Sequence, residues 1–334
     1  MTKEKKQIKP KETTKKAKNN SAKKNKLNEL PIVEVEAKEI VLDTPTTIHP
    51  VAGRITLIIF IVVFGALSFI RYQNNQIAHN KLVLDNLVTK GSGLYEDTID
   101  TGLDEELLYS SKYYFRGSDV NNYLIYNDKC FRIINIAQNK ALKVMYIGDT
   151  QNESCENIIN NISKIKWDDQ GENVWSKSSI KSYLDNWISN VDDSLIVKDA
   201  TWYIGGLRFN SNQSLAIDIE NERQTDLDDI VIYNGKVGLI NASDYMKAAQ
   251  RLCSVGAFND QKECGLNNYL NTKNFWTMNK TYNDNERSWV VENGIMQSKY
   301  TSNEKFNAYP VIYLDGNIKL VGNGSINNPY QIRK

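Results

Sequence analysis

An uncharged apolar run between two arginines limits the folds open to this chain more than any other feature. Residues 54–71 read RITLIIFIVVFGALSFIR, and the sixteen residues from Ile55 to Ile70 carry no charge. As a helix they cover about 24 Å, close to the roughly 30 Å of a bilayer's hydrocarbon core, and the flanking arginines can reach the interfaces. A helix on a soluble core would keep one polar face. The run therefore predicts a membrane-spanning helix over residues 55–71.

The charge ahead of this run predicts its orientation. Residues 1–30 hold eleven Lys and three Glu, a net charge of +8, whereas the whole chain carries +1. Positive charge stays on the cytoplasmic side of a membrane, so we expect residues 1–54 inside the cell and residues 72–334 outside it. A basic tail can also bind nucleic acid, but its place before an apolar run favours a topology signal. We therefore predict the membrane, and not nucleic acid, as its partner.

The remaining boundaries follow from length and spacing. A 54-residue leader is far longer than that of an ordinary signal peptide, so we expect the apolar run to be retained as an anchor. Beyond it, Ile77, Leu84 and Val88 recur at helical spacing before Gly91 and Gly93. The predicted organisation is a basic disordered cytoplasmic tail and linker (1–54), a transmembrane helix (55–71), a helical stalk (72–92) and an extracellular domain (93–334).

Short strands dominate the pattern of the extracellular part. Three of them are predicted in NNYLIYNDKCFRIINIAQNKALKVMYIGD, and later ones in FWTMN, SWVVENGIM, AYPVIYLDGNIKLV and PYQI. The predicted turns are Asn127-Asp128, Gln138-Asn139, Asn293-Gly294 and Asp315-Gly316. No alternation of strand, helix and strand is present.

Two helices interrupt these strands. The first is predicted in SSIKSYLDNWISNV, with Ser178 or Ser179 as its N-cap. The second is predicted in ASDYMKAAQRLC, with Ser243 as its N-cap. Two helices among many strands indicate one loop-rich α+β domain.

All four cysteines lie in the predicted extracellular domain. An even number of cysteines in an exported region favours two disulfides. Proximity along the chain favours Cys130–Cys155 and Cys253–Cys264 among the three possible connectivities. Buried free thiols are the alternative, and a zinc site is disfavoured because no C-x-x-C pair is present.

The positions of the histidines predict a domain that is not an enzyme. His49 and His79 both fall outside residues 93–334, whereas Ser-His-Asp and Cys-His catalysis need an imidazole beside the nucleophile. Carboxylate-only chemistry stays open as an alternative, and its candidates are Asp168, Asp169, Asp226, Asp228, Asp229, Asp284 and Glu286. The acidic stretches DLDD and NDNE could ligate Ca²⁺ through oxygens. Neither matches an EF-hand loop, so no cofactor is predicted.

Six tryptophans, all on the predicted outer side, offer two interpretations. Exposed indole rings can stack on sugars, and Trp289 lies beside the polar stretch YNDNER. Core packing is the alternative for each ring, because aromatic side chains bury large areas. The candidate binding residues are Trp289, Trp276, Asp284 and Glu286.

Several motifs occur in an order that carries a family resemblance. They are YYFRGSDVNNYLIYNDKCFRIINI, WSKSSIKSYLDNW, ATWYIGG, KVGLINASDYMKAA, FWTM and YPVIYLDGNIKLVGNGS. This order resembles a poorly characterised C-terminal module of surface and pseudopilin-like proteins from low-GC Gram-positive bacteria, which looks related to the C-type-lectin-like fold of formylglycine-generating enzymes. The resemblance implies a loop-rich α+β domain with disulfides and a variable binding face. Tyr309 departs from it, because Arg is usual before this Pro-Val pair.

The start of the apolar run is similar to another pattern. RITLII resembles the prepilin start GFTLIE, but Arg54 replaces the Gly before the cleavage point and Ile59 replaces the Glu that guides assembly. Together these features predict a single-pass bacterial surface protein with a binding or adhesion-type domain for a glycan or a surface protein. The alternatives are a pseudopilin-like structural component of the envelope and a carboxylate-dependent enzyme of cell-wall glycans.

Overall fold

The structure is a computed structural model that describes residues 50–98, 107–207, 222–223, 231–249, 262–271 and 273–333, with side chains from residue 58 onward. The predicted basic tail, His49, Cys253 and the acidic stretch DLDD lie outside the described residues. Four α-helices are described: α1 (Pro50–Gln76), α2 (Ala78–Asn86), α3 (Ser179–Ile188) and α4 (Ala242–Ala248).

Eighteen strands accompany these helices in the described residues. They are β1 (Gly93–Glu96), β2 (Ser111–Arg116), β3 (Tyr123–Tyr126), β4 (Lys129–Ala137), β5 (Leu142–Gln151), β6 (Ser154–Ile159), β7 (Lys164–Ile165), β8 (Ala200–Tyr203), β9 (Gly206–Leu207), β10 (Ile232–Gly235), β11 (Val237–Gly238), β12 (Phe275–Thr281), β13 (Arg287–Glu292), β14 (Ile295–Tyr300), β15 (Phe306–Asn307), β16 (Val311–Leu314), β17 (Lys319–Val321) and β18 (Tyr330–Arg333). The chain is therefore mixed α+β and mostly sheet.

One helix of the described residues is long and apolar enough to cross a membrane. Within α1, the window Ile58–Gln76 spans 19 residues, and none of it is buried against the rest of the protein. Apolar side chains such as Ile61 and Phe64 are exposed on all sides of this helix, which is the surface expected of a helix in lipid. The predicted span is thus helical, and the helix extends to Gln76.

The predicted stalk is part of the domain rather than a free helix. The chain leaves helical geometry at Ile77, which has φ −61° and ψ 133° and bridges to Lys319 of β17. α2 then buries Ala78 and Leu82 completely, and the amide of Ala78 donates to the carbonyl of Ile318 at 2.8 Å. Burial of this apolar face against β1 and β17 holds α2 on the sheet.

The larger sheet has ten strands. Its main path runs β11-β16-β5-β4-β3-β18-β17, with β2 added to β4, β1 to β2 and β6 to β5. The pairs are antiparallel except β3 with β18, which is parallel. The predicted meander of β3, β4 and β5 is confirmed, and the turn at Asn127-Asp128 has φ 51° and 55°, as a type I′ hairpin requires.

The second sheet has six strands in the order β14-β13-β12-β15-β7, with β9 pairing on β12. The predicted turn at Asn293-Gly294 closes the hairpin of β13 and β14, with φ 52° and 78°. The turn at Asp315-Gly316 differs, because it joins β16 to β17, which lie at different places in the larger sheet. Strands β8 and β10 form a separate two-stranded sheet.

The two predicted ectodomain helices are present, and one of the predicted caps is wrong. The hydroxyl of Ser178 accepts from the amide of Lys181 at 3.1 Å at the start of α3. α4 begins after Asn241 rather than Ser243. The Asp244 carboxylate accepts from the backbone amide of Asn241 at 2.9 Å, and this bond fixes the helix start two residues before the predicted cap. α4 packs against β2 of the larger sheet and β12 of the second sheet.

One predicted disulfide is confirmed. Cys130 of β4 is bonded to Cys155 of β6, with the two Cα atoms 5.8 Å apart. Cys264 is also disulfide-bonded. Because Cys253 lies outside the described residues, the pairing of Cys253 with Cys264 stays a prediction.

Candidate functional site

A cavity of about 700 Å³ opens at the end of the larger sheet, where β3, β17 and β18 meet the loop 192–195. Its volume lies within the range of about 300–1,000 Å³ that is usual for ligand pockets. Half-buried apolar side chains of Ile125, Leu195 and Ile332 line it. Charged and amide side chains surround them: Asn127, Asp128, Glu153, Asp192, Asn317, Lys319, Gln331 and Arg333.

Strand pairing positions the basic side of this cavity. β18 pairs with β3 on one side and with β17 on the other, so Lys319 lies directly opposite Arg333 across an antiparallel pair. Like charges in that position repel each other. Among the described residues neither cation forms an ion pair, although Lys319 donates to the side-chain oxygen of Gln73 in α1 at 2.6 Å. The two cations therefore lie side by side near the end of the apolar helix.

Tight turns position the acidic side. Asp128 and Glu153 are each the second residue of a two-residue hairpin turn, with φ 55° and 54°. Asp192 belongs to the loop that closes the cavity, and its carbonyl accepts from the hydroxyl of Tyr126 at 2.7 Å and from the amide of Asn127 at 3.0 Å. These bonds attach the loop to the end of β3. The acidic side chains of the cavity thus lie on turns and on a loop, and its basic side chains lie on strands.

The structure places Trp289 and Trp276 in the core. Trp289 is 0% exposed and Trp276 is 1% exposed. The indole nitrogen of Trp289 donates to the carbonyl of Leu207 at 3.3 Å, and that of Trp276 donates to Ile165 at 2.9 Å. Stacking on a sugar needs an open ring face, and neither indole has one. The core interpretation therefore replaces the stacking role that the sequence suggested for these two rings.

Asp284 and Glu286 lie in the loop between β12 and β13 and do not line the cavity. The Asp284 carboxylate accepts from the amide of Glu286 at 2.8 Å. The side chain of Asn173 donates to the carbonyls of Asp284 at 2.5 Å and Arg287 at 2.8 Å. These contacts fix the loop. They do not bring Asp284 or Glu286 to the two tryptophans or to the cavity.

The other acidic candidates within the described residues also serve loops. Asp168 accepts from the amides of Gln170 and Glu172, and Asp169 accepts from the hydroxyl of Ser179. In the described part of the chain, no three His, Cys, Asp or Glu side chains are grouped so as to hold a metal ion. The NDNE stretch therefore has no partner acids there that would complete a calcium site.

His79 belongs to the folded domain, contrary to the sequence prediction. It lies on α2, and a ring nitrogen donates to the carbonyl of Gly316 at 3.2 Å. Burial lowers the pKa of His79, and the charges of Lys140 and Lys112 lower it further. The bond to the Gly316 carbonyl opposes this lowering, and it holds the imidazole against the backbone of the domain.

The sequence did not identify the cavity, because its cations are far from its acids along the chain. The pairing that sets Lys319 opposite Arg333 could not be predicted from the local pattern. Comparison with known proteins adds no further guide, since no protein family, curated protein or solved structure matches this chain.

Proposed function

We propose that this chain is a single-pass membrane protein whose extracellular domain binds an acidic glycan in the cavity of β3, β17 and β18. The observation that carries the proposal is the pair formed by Lys319 and Arg333 on the rim of a cavity of about 700 Å³. Two adjacent cations favour a carboxylate or phosphate group. The amide side chains of Asn317 and Gln331 suit the hydroxyls of a sugar.

Three features support the extracellular placement. The apolar helix is preceded by a tail with a net charge of +8 in residues 1–30, which favours a cytoplasmic N-terminus. The bond between Cys130 and Cys155 fits an oxidising compartment. The motif order that resembles surface modules with a C-type-lectin-like fold supports the same placement, and we propose that fold relationship for the loop-rich domain.

A binding role is favoured over catalysis. The imidazole of His79 is bonded to a backbone carbonyl, and the acidic candidates that the structure describes fix loops. The rim of the cavity, in contrast, presents opposite charges that suit recognition of a polar ligand.

Binding of matched sugars to the full chain in lipid nanodiscs tests the proposal. The probes are a uronic-acid oligosaccharide and the same oligosaccharide with its carboxyl groups reduced to alcohols. We expect the acidic sugar to bind and Arg333→Gln to weaken its binding about tenfold, the scale of one lost hydrogen bond between charged groups. Lys319→Gln should act in the same direction. Lys305→Gln, an exposed cation outside the cavity, is the matched control and should bind as the native chain does.

Other results would favour the alternatives. Equal binding of the acidic and neutral sugars, or full affinity in the Lys319→Gln, Arg333→Gln double variant, would reject the cavity as an acidic-glycan site. Preferential binding of an acidic peptide would indicate a protein ligand. Crosslinked oligomers that disappear when the apolar helix is replaced would favour an envelope structural component, and release of sugar fragments would favour a glycan enzyme.

A further inference from the structure

A lysine, an asparagine and an aspartate meet in the interior between the larger sheet and α4. Lys143 lies on β5, Asn241 is the N-cap of α4, and Asp244 lies in the first turn of that helix. Their exposed fractions are 3%, 4% and 8%. An ion pair in this position is costly to desolvate. This cost suggests that the cluster has a role beyond stability.

The three side chains contact each other directly. The Lys143 Nζ atom lies 2.6 Å from the Asp244 Oδ2 atom and 3.1 Å from the Asn241 Oδ1 atom. Asn135 donates to the other carboxylate oxygen of Asp244 at 3.2 Å. The amine is thus held beside both a carboxyl group and an amide group.

The amide of Asn241 is fixed on its nitrogen side as well. Its Nδ2 atom donates to the carbonyl of Tyr203 at 2.7 Å and lies 3.4 Å from the Asn279 Oδ1 atom. These bonds leave the amide oxygen facing Lys143 and hold the amide nitrogen on the opposite side. A reacting pair that is immobilised in this way gains a large effective concentration.

Two aromatic rings lie near the amine of Lys143. The rings of Trp202 and Tyr313 lie 5.5 Å and 5.8 Å from the Lys143 Nζ atom. The 2.6 Å contact between the Lys143 Nζ atom and the Asp244 carboxylate gives a direct path for a proton, and its transfer would leave a nucleophilic amine.

We propose that Lys143 and Asn241 become joined by an intramolecular isopeptide bond, with Asp244 as the acid–base catalyst. The Lys143 Nζ atom attacks the Asn241 side-chain carbonyl carbon, so that a bond from Nζ to this carbon forms and the bond from this carbon to Nδ2 breaks. Asp244 accepts the proton of the ammonium and returns one to the departing nitrogen. The nitrogen leaves as ammonia, which takes up the remaining proton as ammonium, and no oxidant or cofactor is consumed.

The bond would connect β5 to the start of α4 across 98 residues of sequence. A covalent link over so long a loop restricts the unfolded chain strongly. It would also tie the larger sheet to the helix that packs against the second sheet. Such a link would protect an extracellular domain against unfolding and proteolysis. The proposal is independent of the glycan site, since none of these residues lines the cavity.

Intact-mass spectrometry of the purified full-length protein, with its disulfides reduced, tests the proposal. We expect a mass lower than the sequence mass by one ammonia, and a branched tryptic peptide in which Lys143 is joined to Asn241. Asp244→Ala and Lys143→Arg should each restore the full mass expected from their sequences. Lys129→Gln, which removes a cation from the half-exposed ion pair with Asp149, is the matched control and should still lack one ammonia.

The mass of the native protein tests the proposal even if a variant fails to fold. A full sequence mass with an intact Lys143 and Asn241 would overturn the proposal and leave the cluster as a buried ion pair. Conversion of Asn241 to aspartate without a branched peptide would overturn it as well. Loss of ammonia that persists in Asp244→Ala would reject Asp244 as the catalyst.

Discussion

At the scale of one residue, the stability of the fold depends on whether the buried carboxyl group of Glu222 is protonated. Burial raises the pKa of this carboxyl from 4.5 to about 7, although hydrogen bonds from the hydroxyl and amide of Ser243 oppose the rise. The folded chain therefore holds the proton to a higher pH than the unfolded chain. The stabilisation is complete below pH 4.5 and is lost as the pH rises to about 7. We predict a loss of about 3 kcal/mol in unfolding free energy over this interval.

Substitution of Glu222 separates its pH-dependent contribution to the unfolding free energy from that of the other groups. Glu222→Gln keeps a polar side chain beside Ser243 but removes the titration, so its unfolding free energy should lack the predicted fall between pH 4.5 and 7. Urea unfolding of the full chain in detergent at several pH values measures the difference. Glu156→Gln, at an exposed position, should keep the fall. An unchanged pH profile in Glu222→Gln would contradict the assignment.

At the scale of one element, α2 offers two leucines in opposite environments. Leu82 is 0% exposed against the sheet, whereas Leu84 is 64% exposed. Removal of a buried leucine side chain costs about 2–5 kcal/mol, and an exposed one about 0.5 kcal/mol or less. We therefore predict strong destabilisation by Leu82→Ala and almost none by Leu84→Ala, measured by urea unfolding of the full chain in detergent.

The comparison tests where the domain begins. If α2 were a free stalk, both substitutions would leave the unfolding of the sheet unchanged. If α2 is part of the domain, a fragment that starts at residue 93 lacks a layer of its core and should unfold more readily than one that starts at residue 72. Equal stability of the two fragments would restore the stalk interpretation.

At the scale of the whole molecule, the proposed topology predicts which lysines can be labelled from outside. A membrane-impermeant amine reagent applied to intact cells should modify the exposed side chains of Lys164 and Lys305 but not the lysines of residues 1–30. Peptide mapping after labelling gives the pattern, and permeabilised cells, in which both groups should react, provide the control. Labelling of the basic tail with protection of Lys305 would reverse the orientation.

Local patterns accounted for much of the architecture. The type I′ turns at Asn127-Asp128 and Asn293-Gly294, the helix cap at Ser178 and the apolar helix follow from neighbours within a few residues. The error at the start of α4 has a local cause too, because both Asn241 and Ser243 are good N-cap residues. The tertiary bond from the Asn241 side chain to the carbonyl of Tyr203 decided between them.

Sites proved less predictable than elements. Trp289 and Asp284 are close in sequence, yet one is buried in the core and the other fixes a surface loop. Burial depends on what packs against a strand from elsewhere in the chain, which local patterns do not contain. The same limit applied to α2, which packs against β17, more than 200 residues away, as well as against β1.

The sequence by itself determined an apolar helix behind a basic tail, a strand-rich α+β domain and the pairing of Cys130 with Cys155. These features depend on composition, period and proximity along the chain. Only the tertiary structure decided that Lys319 lies opposite Arg333 on paired strands at the rim of a cavity and that Lys143 meets Asn241 in the interior. The physical reason is that strand pairing and helix packing bring together polar groups that are distant in the sequence. These groups can act on each other or on a ligand only after those contacts have formed.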